Sequence, residues 1–331
     1  MVLNIGLIGC GTIGRRRAKV ISSNDDSRII SVADINIERA KSLASEIDCE
    51  YYQEWEKIIS RKDIDAVVVT TTHNYLAKIS YEAALNKKHI FCEKPLGRNL
   101  QEATKAVNEA SKQKVIFKTG FTLRFHPAIQ KLKTIIDNDE IGKILFLRCR
   151  YGITGRSEYE KEWRANKEIS GGGELLDQGI HVVDIFRWFL GDFSEIHGII
   201  STLFWNSDVE DNAMGILKTS TNEMASFHVS WTQWNNIFSF EVYGSKGYAH
   251  VQGLGGVYGE ETLTVGKKAP PDKWPPKEYI LKFEEPEICW KLEWENFIDS
   301  IKNNLKPIGS GEDGLEALKL IFKIYDNTQI N

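Results

Sequence analysis

The segment NIGLIGCGTIG, residues 4–14, decides the fold because a short apolar run ends there in a GxGxxG cluster. In a strand–turn–helix unit that binds a dinucleotide, Gly9 permits the tight turn and Gly11 lets the backbone approach a pyrophosphate, while Gly14 lets helix and strand pack closely. The first N–H groups of the following helix lack intrahelical partners and attract phosphate. The segment therefore predicts a dinucleotide-binding turn between a first strand and a first helix.

Strands and helices alternate through the hundred residues that follow. Four further apolar runs of strand length are separated by stretches of helical composition, and these runs are residues 28–33, 65–70, 89–92 and 115–120. Such alternation favours right-handed crossovers and a parallel sheet. Residues 1–122 are therefore predicted to form an α/β Rossmann domain with a parallel sheet.

A carboxylate follows the second predicted strand. Asp34 lies 20 residues beyond Gly14, where a carboxylate accepts hydrogen bonds from ribose hydroxyls and repels a 2′-phosphate. This position predicts NAD as the cofactor and makes NADP the less favoured one, although Arg39 keeps NADP open. The alternative is a glycine turn and a solvated aspartate in an α/β domain that binds no cofactor.

The pattern changes after Phe125 to longer, strand-like stretches. Six candidate strands are residues 144–151, 195–204, 212–219, 224–231, 237–243 and 247–252. Several of them alternate apolar and polar residues, and turn pairs separate them, as in antiparallel sheets with one solvated face. Residues 123–331 are therefore predicted to form an α+β domain with a large, mostly antiparallel open sheet.

Length and composition exclude several classes of protein. The chain has 331 residues, enough for about two domains, and its 42 basic and 46 acidic residues give a net charge of −4. That balance argues against nonspecific nucleic-acid binding, and no apolar run is long enough to cross a membrane. Five widely spaced cysteines without a CxxC pair indicate neither disulfides nor a metal site, so we expect a cytoplasmic protein.

Two further motifs carry candidate chemistry. The fourth predicted strand ends in Glu93-Lys94-Pro95, and the carboxyl ends of parallel strands face the ligand. Residues 170–184, SGGGELLDQGIHVVD, place Asp177, His181 and Asp184 at positions i, i+4 and i+7 of a predicted helix, hence on one face. An aspartate one turn before a histidine can orient the imidazole for acid–base catalysis. The alternative is a polar helix face with a structural histidine.

In these motifs the sequence resembles the Gfo/Idh/MocA family of oxidoreductases, which have a strand-terminal Glu-Lys-Pro and a GGG…DxGxH segment. Residues 120–127, GFTLRFHP, resemble the segment that leaves the Rossmann domain, with Thr122 where the family often has Asn. Residues 70–77 resemble the turn on the nicotinamide side, with Thr72 and Leu76 replacing the family's Pro and His. The resemblance implies a sugar-like substrate and a homo-dimer or homo-tetramer formed through the open sheet face.

The motifs and the resemblance together predict the cofactor contacts. These are Gly9, Gly11, Thr12, Ile13, Gly14, Asp34, Ile35, Arg39, Thr71, Thr72, His73, Leu76, Glu93, Lys94 and Thr122.

A polar loop before the glycine triplet holds candidate substrate contacts. Trp163 and Arg164 are adjacent there, and a tryptophan ring that stacks on a sugar beside an arginine that binds an anion is a plausible subsite. A solvated charged loop is the alternative, and the tryptophans at 205, 231 and 234 are predicted to be sheet core or interface. The predicted substrate contacts are Lys94, Arg124, Arg156, Trp163, Arg164, Asp177 and His181.

The predicted reaction is NAD-dependent hydride transfer to or from a secondary alcohol of a sugar or sugar derivative. The Arg-rich aromatic loop resembles that of family members acting on nucleotide-linked or carboxylated sugars, and this resemblance implies that nucleotide-linked sugars are among the candidate substrates. The predicted catalytic set is His181 as acid–base, Lys94 at the carbinol oxygen and Asp177 as orienting group, with the roles of His181 and Lys94 interchangeable. Alternatives are an inositol or free-sugar dehydrogenase, a non-catalytic relative that binds NAD or a sugar, and a reductase of a non-sugar carbonyl resembling biliverdin reductase.

Overall fold

The computed structural model describes residues 2–285 and 287–328, and the chain divides into two units, each built from several segments. The first unit contains Met1–Thr122, Glu168–Gly171 and Trp290–Leu318. The second contains Leu123–Lys167, Gly172–Cys289 and Lys319–Asn331.

The first unit is built on a six-stranded sheet in which every neighbouring pair is parallel. Its strands are β1 (Leu3–Ile8), β2 (Ser27–Ala33), β3 (Glu50–Tyr52), β4 (Ala66–Val69), β5 (His89–Cys92) and β6 (Phe117–Thr119). Their order across the sheet is β3-β2-β1-β4-β5-β6. The helices between them are α1 (Thr12–Ser22), α2 (Ile37–Ile47), α3 (Glu56–Ile59), α4 (His73–Leu85) and α5 (Leu100–Gln113). This order confirms the predicted Rossmann domain.

The central strands of this sheet have apolar sequences, which explains why they could be predicted. Residues 66–69 of β4 read Ala-Val-Val-Val and are completely buried, as expected for a parallel strand covered by helices on both faces. Strand β3 was not predicted, because its three residues lie at the sheet edge and are partly or fully exposed.

The second unit is built on an eight-stranded sheet. Its strands are β7 (Ile144–Thr154), β8 (Phe193–Ser201), β9 (Asn212–Thr219), β10 (Met224–Ser230), β11 (Thr232–Gly244), β12 (Gly247–Gln252), β13 (Thr262–Lys267) and β14 (Glu278–Lys282). The order is β14-β13-β12-β11-β7-β10-β9-β8, and neighbours are antiparallel except for the parallel pair β7 and β10. The predicted open, mostly antiparallel sheet is confirmed.

Two helices, α6 (Pro127–Asp137) and α8 (Ile180–Leu190), pack on this sheet. The remaining helices are α7 (Lys167–Ser170), α9 (Ile288–Asn303) and α10 (Gly311–Asp326). Helix α8 packs on the sheet through Phe186 and Phe189, whose ring centroids lie 6.1 Å and 5.6 Å from that of Phe240. Within the described ranges, no helix combines the length and the apolar character needed to cross a bilayer.

The C-terminal part of the chain returns to the first unit. In α9, Trp294, Phe297 and Ile298 are buried in the same core as Leu7 and Phe91. The Trp294 indole also donates a hydrogen bond of 3.0 Å to the Ser27 hydroxyl at the start of β2. The sequence predicts a single domain boundary, between residues 122 and 123. In the structure the chain passes between the two units several times, because the apolar face of α9 completes the first core.

Candidate functional site

The turn between β1 and α1 depends on its glycines in three different ways. Gly9 has φ +101°, and a Cβ there would lie 2.7 Å from the carbonyl group of Thr70. A Cβ on Gly14 would lie 1.9 Å from the Gly9 carbonyl oxygen. A Cβ on Gly11 would meet no atom within 4 Å. Gly9 and Gly14 therefore shape the turn, whereas Gly11 leaves space open above it.

This open space lies at the N-terminus of α1. Gly11 is the N-cap residue and supplies no side-chain hydrogen bond, and the first turn of the helix carries no acidic residue. The first N–H groups of α1 are thus oriented to bind an anion. Thr12 is exposed and Ile13 half-buried beside this space. The turn fits the pyrophosphate of a dinucleotide, which these residues would hold.

Asp34 lies next to the glycine turn with a fixed orientation. Its Oδ2 accepts a hydrogen bond of 2.7 Å from the Cys10 N–H, and its Oδ1 accepts one of 2.8 Å from the Asn36 N–H. Each carboxylate oxygen keeps a second lone pair for a ribose hydroxyl. Ile35 and Arg39 follow on the exposed side of this segment, so the residues predicted to meet the adenosine end are accessible.

The turn after β4 and the first residues of α4 hold four of the predicted cofactor contacts. Thr71 and Thr72 are half-buried just before α4. His73 is buried, and its Nδ1 lies 2.8 Å from the carbonyl oxygen of Ser170. The Leu76 side chain is fully buried in the core. The prediction of a cofactor contact at Leu76 therefore disagrees with its position, and the ring of His73 is hydrogen-bonded within the first unit.

Glu93 and Thr122 belong to a buried group that we call the Arg17 cluster, formed with Arg17 and Glu293. The Arg17 guanidinium donates to Glu93 Oε1 at 2.9 Å and 2.7 Å, and to Glu293 Oε2 at 2.7 Å. The Thr122 hydroxyl donates to the same Glu293 oxygen at 2.9 Å. Glu93 and Thr122 were predicted as cofactor contacts, and the structure places both against a cation that sequence reasoning missed.

The Arg17 cluster is electrostatically unusual because its cation is fully buried. The guanidinium lies 4.3 Å from the ring centroids of both Phe91 and Trp290. Burial opposes the charge of Arg17, but Glu293 and Glu93 outweigh that effect and raise its pKa. Burial, reinforced by the nearby Glu293, raises the pKa of Glu93 despite the attraction of Arg17. One feature of the sequence could have indicated that Arg17 is buried. Arg17 follows Gly14 by three residues and therefore lies on the same buried face of α1.

Lys94 follows this cluster directly in the chain. It is half-buried beyond the end of β5, and the peptide bond between Lys94 and Pro95 is cis. Its neighbour Glu93 is held by Arg17. The predicted catalytic lysine thus lies at the carboxyl end of a parallel strand, next to a glutamate that Arg17 holds.

In the second unit, the structure brings the predicted carboxylate and the predicted loop together. Asp177 is 8% exposed, and its Oδ2 accepts a hydrogen bond of 3.1 Å from Arg164 Nε. The Arg164 guanidinium lies 4.4 Å from the centroid of the Trp163 ring. Glu162 contacts both arginines of the loop, Arg156 at 3.1 Å and Arg164 at 3.7 Å. Four of the predicted substrate contacts therefore form one connected group.

Asp177 lies on an irregular turn that changes the predicted helix face. Leu175–Gly179 form a π-helical turn, and α8 begins directly after it, with His181 in its first turn. Such turns add a residue to the helical repeat and occur frequently at functional sites. The spacing predicted from a regular α-helix therefore does not hold between Asp177 and the later positions.

Asp184 and Arg124 form a separate buried ion pair. Arg124 donates to the two carboxylate oxygens of Asp184 at 2.9 Å and 2.7 Å, and both side chains are buried. The prediction that Arg124 binds substrate disagrees with this arrangement, because the guanidinium is committed to a bidentate pair. Asp184 is the other half of this buried pair.

Glu210, which sequence reasoning missed, holds the entry to the π-helical turn. Its carboxylate accepts hydrogen bonds of 3.1 Å from the N–H groups of Gly173 and Leu175 and one of 2.6 Å from the Tyr325 hydroxyl. A Cβ on Gly173 would lie 1.9 Å from the Glu210 carbonyl oxygen. Burial raises the pKa of Glu210, although these hydrogen bonds oppose the shift. No local signal connects Glu210 with a turn 37 residues earlier.

Comparisons with known proteins match both units. Residues 3–121 match the model of the oxidoreductase family with an NAD-binding Rossmann fold, and residues 129–250 match the GFO/IDH/MocA C-terminal domain. The chain is similar to myo-inositol 2-dehydrogenase of Thermotoga maritima, with 29% identity over 326 residues, covering 96% of this chain and 94% of the relative.

Two solved structures share the fold. A levoglucosan dehydrogenase in complex with NADH superposes with a TM-score of 0.90 at 24% identity, covering 99% of this chain and 97% of that one. The WlbA dehydrogenase from Bordetella pertussis, in complex with NADH and UDP-GlcNAcA, superposes with a TM-score of 0.83 at 22% identity, covering 99% and 96%.

Proposed function

The chain belongs to the GFO/IDH/MocA family of NAD-binding oxidoreductases. On this basis we propose that it transfers a hydride between NAD and a secondary alcohol of a sugar or sugar derivative, with nucleotide-linked sugars among the candidate substrates. The observation that carries the proposal is the contact of Arg164 with the nearly buried Asp177, on the turn that leads into His181. Similar proteins named for inositol and levoglucosan, and one crystallised with UDP-GlcNAcA, support a ring-shaped polyol.

The chain's own residues orient the cofactor. Gly11 and the first turn of α1 receive the pyrophosphate, and Asp34 accepts hydrogen bonds from the ribose. Thr71 and Thr72 line the end of β4 on the nicotinamide side. Bound NAD supplies the hydride-accepting ring.

Three side chains carry the proton chemistry in this proposal. His181 takes or returns the hydroxyl proton, because an imidazole titrates near neutral pH. Asp177 orients the imidazole or binds a substrate hydroxyl, and the hydrogen bond from Arg164 holds its carboxylate in place. Lys94 donates a hydrogen bond to the carbinol oxygen and can exchange roles with His181. Trp163 stacks on the sugar, and Arg156 binds an anionic substituent.

Removal of either proton-handling group tests this assignment. His181→Ala and Lys94→Ala should each lower kcat/KM by roughly 10²–10⁴, the usual contribution of a positioned acid–base group. NAD reduction is measured with a panel of polyols, free sugars and nucleotide sugars. Lys112→Ala, which removes an exposed lysine of α5, is the matched control and should leave turnover at the wild-type level.

The outcome against the assignment is wild-type turnover in both His181→Ala and Lys94→Ala. Intact NAD binding without turnover of any substrate in the panel would indicate a non-catalytic relative. Turnover restricted to inositol or free sugars would favour the second candidate, a free-polyol dehydrogenase, which the similarity to the Thermotoga maritima enzyme supports.

The protein is also proposed to be a homo-dimer or homo-tetramer that associates through the open sheet face. Ile199, Met214 and Ile216 are exposed there on β8 and β9, and Ile199 lies directly opposite Met214 in the pairing of these strands. Monomeric proteins rarely leave such contiguous apolar surface in water.

A cytoplasmic location is part of the same proposal. Cys10, Cys92 and Cys149 are buried free thiols, and Cys49 is a half-buried one. Unpaired cysteines are typical of a reducing compartment.

A further inference from the structure

The loop after β8 presents aromatic and aliphatic side chains to solvent. Leu203 and Phe204 are 68% and 62% exposed, and Trp234 of β11 is 61% exposed. The Phe204 and Trp234 rings meet edge to face, with centroids 5.0 Å apart. We call these three residues the aromatic platform. Residues 202–204 were predicted to continue β8, which ends instead at Ser201.

A buried carboxylate fixes the backbone of this platform. Asp211 is fully buried and accepts hydrogen bonds from the N–H groups of Leu203 and Phe204, each at 2.8 Å, and of Trp205 at 2.9 Å. Burial alone would raise the pKa of Asp211, but these hydrogen bonds and that of Asn212 hold it below its ordinary value. The loop is therefore rigid although its side chains are exposed, so a ligand would bind it without a large ordering cost.

The platform is anchored to the loop that carries the proposed substrate contacts. The Trp205 ring lies against Gly155, where a Cβ would come within 2.4 Å of it, and its centroid is 5.5 Å from that of Tyr159. The Asp208 N–H also donates a hydrogen bond of 3.2 Å to the carbonyl oxygen of Ala165, the residue after Arg164. The two loops thus form one surface within the second unit.

We propose that the aromatic platform is a subsite for a second ring of the substrate, linked to the sugar that is oxidised. This inference rests on the proposed function and names its substrate class. A nucleobase and a second sugar both present a ring face that stacks on aromatic side chains. The exposed Arg156 on the connected loop suits an anionic linkage between the two rings.

The test compares matched substrates. The kcat/KM of a monosaccharide is measured beside that of a disaccharide and a nucleoside-diphosphate derivative containing the same sugar. In the Phe204→Ala/Trp234→Ala variant, the ratio of two-ring to one-ring kcat/KM should fall about 5- to 150-fold, as expected for loss of ring stacking. The arm that shows the fall, disaccharide or nucleotide sugar, identifies the second ring.

Trp274→Ala is the matched control, because Trp274 is 79% exposed in a different loop and should leave the ratio at the wild-type value. An unchanged ratio in the platform variant overturns the inference while leaving the proposed function standing. A platform variant that changes only the sedimentation coefficient overturns it as well, since the platform would then hold a second copy of the chain.

Failure of the proposed function has a separate signature, which is the absence of turnover of any sugar by the wild-type protein. In that case calorimetric binding of the same three ligands decides the inference. Weaker binding of a two-ring ligand to the platform variant supports the subsite, and equal binding to both proteins overturns it.

Discussion

Arg17 carries a positive charge into the core of the first unit, where water does not reach it. Two carboxylates and two aromatic rings surround the guanidinium. Such a group is stable only as a complete set, because removing one partner leaves a buried charge without compensation. We therefore expect a single substitution in the Arg17 cluster to lower the free energy of unfolding strongly.

Arg17→Met should lower the free energy of unfolding by about 3–5 kcal/mol at neutral pH. The substitution leaves Glu93 and Glu293 near each other with no cation between them. Denaturant titration measures the loss. Arg15→Met in the same helix is the matched control, since the ion pair of Arg15 with Glu46 is exposed and exposed ion pairs contribute little to stability. Equal losses in the two variants would contradict the assignment.

The same variant has a predicted pH dependence. Burial raises the pKa of Glu93, so the folded protein binds this proton more tightly than the unfolded chain does. The contribution of Glu93 to stability is therefore present below its unfolded pKa of about 4.3 and is lost as the pH rises through its folded pKa. The difference in Tm between wild type and Arg17→Met should shrink on acidification.

At the scale of elements, the turn between β1 and α1 contains two glycines with different roles. Gly14 is needed for packing, whereas Gly11 faces the space for the ligand. Gly14→Ala should destabilise the protein by about 1–3 kcal/mol, because its Cβ would overlap the Gly9 carbonyl oxygen.

Gly11→Ala should leave Tm unchanged, since its Cβ meets open space. It should nevertheless weaken NAD binding about tenfold, or roughly 1.4 kcal/mol, because the methyl group occupies the space for the pyrophosphate. Thermal unfolding and calorimetry measure the two effects, and a Gly11 variant that binds NAD normally would contradict the proposed contact.

Local spacing explains why this turn could be predicted and the Arg17 cluster could not. Gly9, Gly11 and Gly14 act within one strand–turn–helix unit, so the sequence contains their whole arrangement. Arg17 meets Glu293 across 276 residues of sequence separation, which no local pattern records. The π-helical turn at Asp177 was missed for the same reason, because Glu210 holds its entry from a distant segment.

At the scale of the whole molecule, the open sheet face predicts association. Sedimentation at micromolar concentration should show a dimer or tetramer, and Met214→Glu/Ile216→Glu should shift it toward monomer by placing charges in an apolar interface. Leu305→Glu, at an exposed site in the first unit, is the control and should not change the assembly. A monomeric wild-type protein would contradict the proposal.

The layer architecture followed from the sequence because buried strands and alternating strands have different patterns. Residues 66–69 of β4 are uniformly apolar, whereas apolar and polar residues alternate along residues 238–242 of β11. The division into units did not follow, because the amphipathic pattern of α9 shows that it has a buried face without showing which core that face joins. Trp294 and Phe297 could have packed on either sheet.

The placement of α9 has a consequence for the order in which the chain matures. During synthesis, residues 1–122 leave the ribosome first, yet the core they build includes Trp294, Phe297 and Ile298. At about 5–20 residues per second, roughly 10–30 s separate the two segments. The apolar surface around Leu7 and Phe91 stays uncovered for that interval, so the half that is made first can complete its core only when most of the chain has been made.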